Sequence, residues 1–347
     1  DGNDNANVAA TQSTQVVDTV KTVQTVDTVA TNDIVNDLEA SNGFYISGEG
    51  NVGDLITLSF ESGITLTTDD NTTTVDGSGY WNFLVVDADV TAMGEGSQVI
   101  TIAQSNGGTA TANNVTKTIT IDTTAPTASN VTIASNNATN TLAKSGDIVS
   151  LTFTVSETLA ADPTVTIFGE TATITNTGLN YTASLTLSGD EAQSAAPFVI
   201  DFDDAAGNSA TQITAVSGTG ASSSVTADFT ADAAPTIDLV SADDRINDTE
   251  NTAGFNLTGT GVNGSTVTVS GFENGIADKT ATVTGGVWSI AIVDADLADD
   301  GSNTLSATQT DAAGNVSPAS ADRVLTTDLT ADAAPTIDLV SADDRIN

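Results

Sequence analysis

The chain has 347 residues and carries 46 acidic against 7 basic side chains, a formal net charge of −39 at pH 7. It contains neither cysteine nor histidine, which excludes thiol nucleophiles, imidazole bases, disulfides and Cys/His zinc sites. Nucleic acid is excluded as a partner because its phosphates require a basic surface. Three possibilities remain: a metal held by oxygen ligands, acid/base chemistry by paired carboxylates, or a purely structural role.

Residues 1–33 form a low-complexity segment rich in Thr and Val. Thr-Val pairs begin at Thr19, Thr22, Thr25 and Thr28, and this spacing of three matches neither the strand period of 2 nor the helix period of 3.6. Helix, strand and linker therefore remain open for residues 1–43. The first residues show neither a basic nor an apolar signal-peptide region, so we expect no N-terminal signal.

Most of the remaining chain alternates between apolar and polar residues with a period of two. Clear examples are Ile56–Phe60, Thr118–Ile121 and Ser265–Val269, each typical of a strand with one buried face. Abundant Val, Ile and Thr also favour sheets over helices. We therefore predict an all-β protein. No apolar stretch approaches the ~20 residues that a membrane-spanning helix needs.

Internal repeats divide the chain. Thr230–Asn247 and Thr330–Asn347 are identical, and they lie 100 residues apart, a domain-sized period. The segment Trp81–Val90 also matches Trp288–Leu297. The first and third parts of the chain are thus predicted to be the same module, and the middle part a divergent relative.

Short Asp- and Pro-containing connectors mark the predicted boundaries. They lie at Asp122–Pro126, Asp232–Pro235 and Asp332–Pro335, where proline stiffens the chain. The predicted organisation is the low-complexity segment 1–33, modules 34–124, 125–233 and 234–333, and the start of a further repeat at 334–347. Because these connectors are short, we expect an extended, semi-rigid rod.

Three motifs in the third module carry a family resemblance. Gly264–Val269, Gly286–Ser289 and Asp311–Ser317 occur in this order, and together they resemble the bacterial Ig-like repeats of giant type-I-secreted adhesins and biofilm-associated surface proteins. The middle module keeps an Asp-Ala-Ala-Gly-Asn loop at Asp204–Asn208, whereas the first module has Ser105–Gly108 at that place. The resemblance implies tandem immunoglobulin-like β-sandwiches in an extracellular stalk, often stiffened by Ca²⁺ at domain junctions.

Calcium is the cofactor that this composition favours. Ca²⁺ takes six to eight oxygen ligands, which Asp-rich loops supply without nitrogen or sulfur. The candidate ligands lie in the connectors and in the Asp-Ala-Ala-Gly-Asn loops: Asp122, Asp204, Asp228, Asp232, Asp311, Asp328 and Asp332. No twelve-residue EF-hand loop is present. The alternative is that each loop is only a turn, with Asp bonding its own backbone and Gly supplying a positive φ.

Two further features have catalytic or binding interpretations. Asp87 with Asp89, and Asp294 with Asp296, resemble the carboxylate pairs of glycosidases. Their repetition in both matching modules, with few aromatic residues to line a sugar cleft, favours a structural role, and we expect no enzyme activity. Trp81 and Trp288 could stack on carbohydrate, but a lone Trp in such a sandwich usually fills the core.

Three functional hypotheses follow. The favoured one is a stalk segment of an extracellular adhesin whose partners are neighbouring repeats of the same chain. The alternative is a subunit of a self-assembling filament, sheath or surface layer, in which like chains pair through residues Thr336–Val340 by strand addition. The third is a sugar- or ice-binding module, for which residues 16–29 are the candidate stretch.

Overall fold

Strands dominate the regular structure of this computed structural model, which describes residues 24–68, 70–218, 224–272, 276–297, 300–331 and 333–336. The chain divides into two compact units. One unit runs to Ala128 and includes Val155–Thr164 and Ile200–Ile213, and the other comprises the rest. Within the described ranges no helix is both long and apolar enough to cross a membrane.

The first unit contains a sandwich of two sheets. Its elements are β1 (Ile34–Val35), α1 (Asp37–Asn42), β2 (Phe44–Glu49), β3 (Leu55–Phe60), β4 (Thr72–Thr74), β5 (Tyr80–Val85), α2 (Asp87–Met93), β6 (Gly96–Asn106), β7 (Thr109–Ala110) and β8 (Val115–Ile121). One sheet has the order β1-β8-β6-β3-β4, with β7 on β6, and the other pairs β2 with β5. Strand β1 runs parallel to β8, with Val35 opposite Ile121.

The core of this sandwich comes from alternate residues of both sheets. Trp81 and Phe83 on β5 are buried and pack edge to face with ring centroids 5.9 Å apart, which confirms the prediction that Trp81 fills the core. Val29 is also fully buried in this core. Thr25 and Asp27 donate their backbone N–H groups to β2. The described end of the Thr/Val-rich segment therefore lies against β2, and residues 1–23 lie outside the described ranges.

The middle segment supplies three smaller sheets. Its strands are β9 (Ala128–Ser135), β10 (Leu142–Ala143), β11 (Ile148–Val155), β12 (Thr164–Ile167), β13 (Glu170–Thr171), β14 (Thr173–Thr177), β15 (Asn180–Thr186), β16 (Phe198–Asp201) and β17 (Thr226–Ala227). The sheet orders are β14-β15-β11-β9, β13-β12-β16 and the parallel pair β10-β17. The buried rings of Phe153 on β11 and Tyr181 on β15 stack with their centroids 5.6 Å apart.

A second sandwich, in the other unit, repeats the topology of the first. It contains β18 (Arg245–Asn247), α3 (Asp248–Ala253), β19 (Phe255–Thr260), β20 (Thr266–Ser270), β21 (Lys279–Thr282), β22 (Val287–Ile292), a 3₁₀ turn (Asp294–Asp296), β23 (Asp300–Thr310) and β24 (Arg323–Asp328). Its sheets are β18-β24-β23-β20-β21 and β19-β22. Trp288 is buried in this core, which confirms the prediction that it fills the core. Residues 337–347, which include most of the strand-addition segment Thr336–Val340, lie outside the described ranges.

The all-β prediction is confirmed, with short helices inserted between strands. α1 and α3 each begin at an asparagine whose side chain accepts from the third helical residue, while the Glu at that position accepts from the asparagine backbone. These capping boxes are Asn36 with Glu39 and Asn247 with Glu250. Such a box satisfies two otherwise unpaired backbone donors, which stabilises a helix of only six residues in an otherwise β-forming chain.

Candidate metal centre

Asp122 is positioned by the end of β8. Because β1 and β8 are parallel with Val35 opposite Ile121, the residues that follow them, Asn36 and Asp122, leave the sheet side by side. The backbone N–H of Asp122 donates to the carbonyl oxygen of Val35 at 3.0 Å. The start of the connector is therefore fixed by the last ladder of the sheet.

The Asp204–Asn208 loop is a tight turn closed by its own aspartate. Asp204 is fully buried, and its Oδ1 accepts from the backbone N–H groups of Ala206, Gly207 and Asn208 at 2.7–2.9 Å. Gly207 has φ +96°, a conformation that favours glycine. The turn predicted from the motif is thus present, and it holds the Asp204 carboxylate in one orientation.

Asn208 fastens this loop to the end of the first sandwich. Its Nδ2 donates to the carbonyl oxygen of Asp122 at 2.8 Å and to Asp204 Oδ2 at 2.8 Å, while its Oδ1 accepts from the backbone N–H of Asp37 at 2.8 Å. Asn36 Nδ2 donates to the carbonyl oxygen of Ala206 at 3.1 Å. These bonds bring the Asp204 side chain next to Asp122.

Glu157 completes a group of three carboxylates. One oxygen each of Asp122, Glu157 and Asp204 lie within 4.8 Å of one another. Ser156 holds the Glu157 backbone in place, because Ser156 exchanges hydrogen bonds of 2.9 and 3.0 Å with Thr127 just after the connector. The sequence motifs predict Asp122 and Asp204 as ligands but not Glu157, which stands in no acidic motif.

The electrostatics of the cluster favour a bound cation. Partial burial raises the pKa of Asp122, and the charge of Asp204 raises it further. Burial likewise raises the pKa of Glu157, with added repulsion from Asp122 and Asp204. The ion pairs among the described residues join Lys117 to Asp33, Lys279 to Asp296 and Arg323 to Asp244, so none compensates this cluster.

The donor set fits Ca²⁺. All three side chains offer oxygen, and the three oxygens lie within 4.8 Å of one another. Two ligands of one Ca²⁺ ion can be at most about twice the Ca–O distance of ~2.4 Å apart, so the three oxygens are close enough to contact one ion. Three carboxylates leave further positions to carbonyl oxygen and water, as is usual for a six- to eight-coordinate ion.

The second Asp-Ala-Ala-Gly-Asn loop makes a related arrangement within the other unit. Asn315 Nδ2 donates to the carbonyl oxygen of Asp228 and to Asp311 Oδ2, both at 2.9 Å. Asn137 Nδ2 donates to the carbonyl oxygen of Ala313 at 2.8 Å. Asp228 and Asp311 are therefore brought together as Asp122 and Asp204 are. In the described part of the chain, however, no third acidic side chain joins them.

The remaining candidate ligands lie apart from these two places. Asp232 accepts a hydrogen bond from the Ser265 hydroxyl. Asp328 is exposed and lies opposite Asn247 in the β18–β24 ladder. Asp332 lies outside the described residues.

Two of the paired carboxylates have clear structural roles. Asp89 is buried, and its carboxylate accepts from the backbone N–H groups of Val86 at 3.0 Å and Thr67 at 2.9 Å. Asp296 accepts from the backbone N–H of Val293 and pairs with Lys279. In each pair one carboxylate thus holds the backbone just after β5 or β22, consistent with the structural interpretation.

Comparisons with known proteins find bacterial adhesins among the solved structures of similar architecture. No protein-family model matches the chain, and no curated protein does either. A Ca²⁺-stabilized adhesin that helps an Antarctic bacterium bind ice is 27% identical over 93% of this chain and 78% of that one, with a TM-score of 0.48. A 1.5-MDa bacterial ice-binding adhesin is 22% identical over 89% of this chain and 100% of that one, with a TM-score of 0.46.

A third solved structure is a tetra-tandem repeat from the extending region of a large adhesion protein. It is 21% identical over 84% of this chain and 73% of that one, with a TM-score of 0.25. All three are adhesins or parts of adhesion proteins, the class of protein that the sequence motifs resemble.

Proposed function

We propose that this chain is a structural stalk segment of a bacterial extracellular adhesin or biofilm surface protein, stiffened by Ca²⁺. The observation that carries the proposal is the cluster of Asp122, Glu157 and Asp204, whose carboxylate oxygens lie within 4.8 Å of one another without a basic partner. Its role is mechanical: it ties the connector that follows β8 to the loop that Asn208 already holds.

The ion would be held by residues from three separate stretches of chain. Asp122 follows a strand, Glu157 lies near the connector's far end, and Asp204 closes a turn. A divalent cation would neutralise the repulsion among the three carboxylates. A bound ion therefore cross-links three segments that are otherwise joined by hydrogen bonds, and it makes the connector rigid.

The composition fits an extracellular position. Extracellular modules bind Ca²⁺ at ~10⁻⁴–10⁻³ M, a weaker range than that of intracellular sensors. A net charge of −39 also keeps such chains soluble and apart. The partners in this proposal are neighbouring repeats of the same chain, and no catalytic step is assigned.

The test is calcium binding by the full chain, measured by isothermal titration calorimetry and thermal unfolding. We expect Ca²⁺ to raise the melting temperature, because a ligand at 100 times its Kd stabilises the folded state by ~2.7 kcal/mol. The double variant Asp122→Asn, Glu157→Gln removes two of the three charges and should abolish this shift.

The matched control is Asp201→Asn, since Asp201 is an exposed acid that bonds only the Gln212 amide among the described residues. It should keep the full calcium response. If Ca²⁺ leaves the melting temperature of the wild-type chain unchanged, or if the double variant responds like the control, the calcium proposal fails.

A further inference from the structure

An open surface at the end of the second sandwich resembles the place where the Asp204–Asn208 loop sits on the first. It is a depression of about 540 Å³ lined by Asn247, Asp248, Thr249 and Glu250 on one side and by Asp328–Ala331 on the other. In the first sandwich the corresponding residues are Asn36, Asp37 and Asp122. There the place is filled by a loop.

The two places match in backbone geometry. Asn36 and Asn247 both precede a six-residue helix, with φ/ψ of −92°/176° and −90°/170°. Asn247 lies directly opposite Asp328 in a parallel ladder, just as the β1–β8 register puts Asn36 beside Asp122. A loop that fits the first place therefore meets the same backbone at the second.

The connector start is also fixed in the same way. In the first sandwich Glu95 accepts from the backbone N–H and the hydroxyl of Thr123. In the second, Asp300 accepts from the backbone N–H of Leu329 at 2.7 Å and from the Thr330 hydroxyl. The side of the depression formed by Asp328–Ala331 is thus held in position by the second sandwich itself.

The two places differ in whether their hydrogen-bond donors have a protein acceptor. Asn36 Nδ2 donates to Ala206, and the Asp37 N–H donates to Asn208. For Asn247 Nδ2 and the Asp248 N–H, the described part of the chain offers no acceptor.

We infer that the surface of Asn247, Asp248 and Asp328–Ala331 is a docking site for the Asp-Ala-Ala-Gly-Asn turn of a further Ig-like module. The turn's second alanine carbonyl accepts from Asn247 Nδ2. Its asparagine accepts from the Asp248 N–H through Oδ1 and donates to the Asp328 carbonyl through Nδ2. This inference rests on the proposed function, because it requires modules joined in series.

The chain itself contains two turns of the kind that this site would bind. Both of its own turns are engaged, Asp204–Asn208 with Asn36 and Asp37, and Asp311–Asn315 with Asn137 and Asp228. A second copy of this chain therefore has no spare turn to offer, and the occupant is a turn on an additional module.

The test is an extended chain. Because Thr330–Asn347 repeats Thr230–Asn247, a copy of residues 248–333 added after Asn347 continues the repeat in register and supplies a copy of the Asp311–Asn315 turn. Amide hydrogen exchange is measured for Asp248 in the 347-residue chain and in the extended chain, each in Ca²⁺ and in chelator. The Asp37 amide is the internal reference for a docked turn.

We expect exchange at Asp248 to slow by at least an order of magnitude in the extended chain. It should return to the original rate when the copy of Asn315 is replaced by Ala. A second extended chain, in which residues 1–328 are joined to a copy of residues 123–233, presents the Asp204–Asn208 turn and should protect Asp248 as well.

Protected strand amides in the added module show that this module has folded. If Asp248 still exchanges fast in such an extended chain, both with and without Ca²⁺, the inference is overturned. That result leaves the calcium response of Asp122 and Glu157 untouched. Conversely, protection of Asp248 in a chain that shows no calcium response would overturn the calcium proposal alone. The two failures are therefore distinguishable.

Discussion

The side-chain amide of Asn315 donates to the backbone carbonyl oxygen of Asp228 at 2.9 Å. Asn208 makes the same bond to Asp122 at 2.8 Å. In both cases an asparagine at the end of a tight turn holds the residue that follows the last strand of another sheet. Because each bond joins two protein groups, the side chain of the asparagine attaches the turn directly to the connector.

Asn208→Ala tests the strength of this attachment. The substitution removes the donor to Asp122 and Asp204 and the acceptor for the Asp37 N–H. Leaving the buried Asp204 carboxylate and the partly buried bonds to Asp122 and Asp37 without their partner costs ~1–3 kcal/mol, so the free energy of unfolding in urea should fall by about that amount. Amide exchange at Asp37 should accelerate.

Gln212→Ala is the matched control, because Gln212 is an exposed amide that bonds Asp201. It should change the free energy of unfolding by less than ~0.5 kcal/mol. Equal effects of the two substitutions would mean that Asn208 does not attach the turn.

Part of the metal cluster can be predicted from the sequence and part cannot. Asp122 and Asp204 stand in recognisable connector and loop motifs, and Ca²⁺ requires oxygen ligands, so both are identifiable as candidates. Glu157 follows a strand in an ordinary Ser-Glu-Thr stretch. Its approach to Asp122 depends on how Ser156 pairs with Thr127, a long-range contact that no local pattern encodes.

The Thr/Val-rich segment also holds a signal that its three-residue period conceals. Thr25–Asn36 occupies the position of Thr236–Asn247: Thr25 pairs with Glu49 as Thr236 pairs with Thr260, and Asn36 caps a helix as Asn247 does. Matching the two stretches through their final asparagine places Val29 in the core. The repeated Thr-Val pairs instead suggest low complexity.

Gly48→Ala tests how closely residues 24–29 pack on β2. A Cβ at Gly48 would collide with the backbone carbonyl oxygen of Thr25 and would lie 2.7 Å from the Trp81 ring. Overpacking of this kind costs ~1–3 kcal/mol or more, and here the obstacle is backbone that cannot rotate away. We expect a lower melting temperature and increased Trp81 exposure by fluorescence.

Gly77→Ala provides the comparison in the same sandwich. No atom lies within 4 Å of a Cβ at Gly77, and its φ is not positive, so the variant should melt at or above the wild-type temperature. A Gly48→Ala variant as stable as Gly77→Ala would show that the segment around Thr25 can leave β2 at little cost.

The raised pKa values of Asp122 and Glu157 predict an unusual pH response. Burial and the neighbouring charge of Asp204 favour their protonated forms in the folded chain. Their contribution to stability is therefore greatest below the ordinary carboxyl pKa of ~4, and it is lost as pH rises through the raised values. Without calcium, these two groups should add stability as pH falls from 7 towards that ordinary value.

Calcium should reverse this trend, because it binds the ionised carboxylates and competes with protons. Melting temperatures recorded from pH 7 to about 4 in Ca²⁺ and in chelator give the measurement. The calcium-dependent increment should shrink as pH falls, and the Asp122→Asn, Glu157→Gln variant should show neither effect. An increment that is independent of pH would place the ion elsewhere.

Asp54→Asn tests a second, purely structural carboxylate. Burial of Asp54 would raise its pKa, but hydrogen bonds from Thr111, Asn106, Asn51 and Gln104 outweigh burial and hold the pKa below its usual value. An amide cannot accept from all of these donors. The free energy of unfolding should fall by ~1–3 kcal/mol at pH 7.

The sign of the pH effect is opposite to that of the calcium cluster. Because the folded pKa of Asp54 is lowered, its stabilisation is present above the unfolded pKa of ~3.9 and is lost as pH falls through the lower folded value. The difference between wild type and Asp54→Asn should therefore narrow in acid. Glu61→Gln changes an exposed acid and should follow the wild-type curve of unfolding free energy against pH throughout. If the difference between wild type and Asp54→Asn instead stays constant in acid, the loss of stability comes from the change in shape and not from the loss of charge.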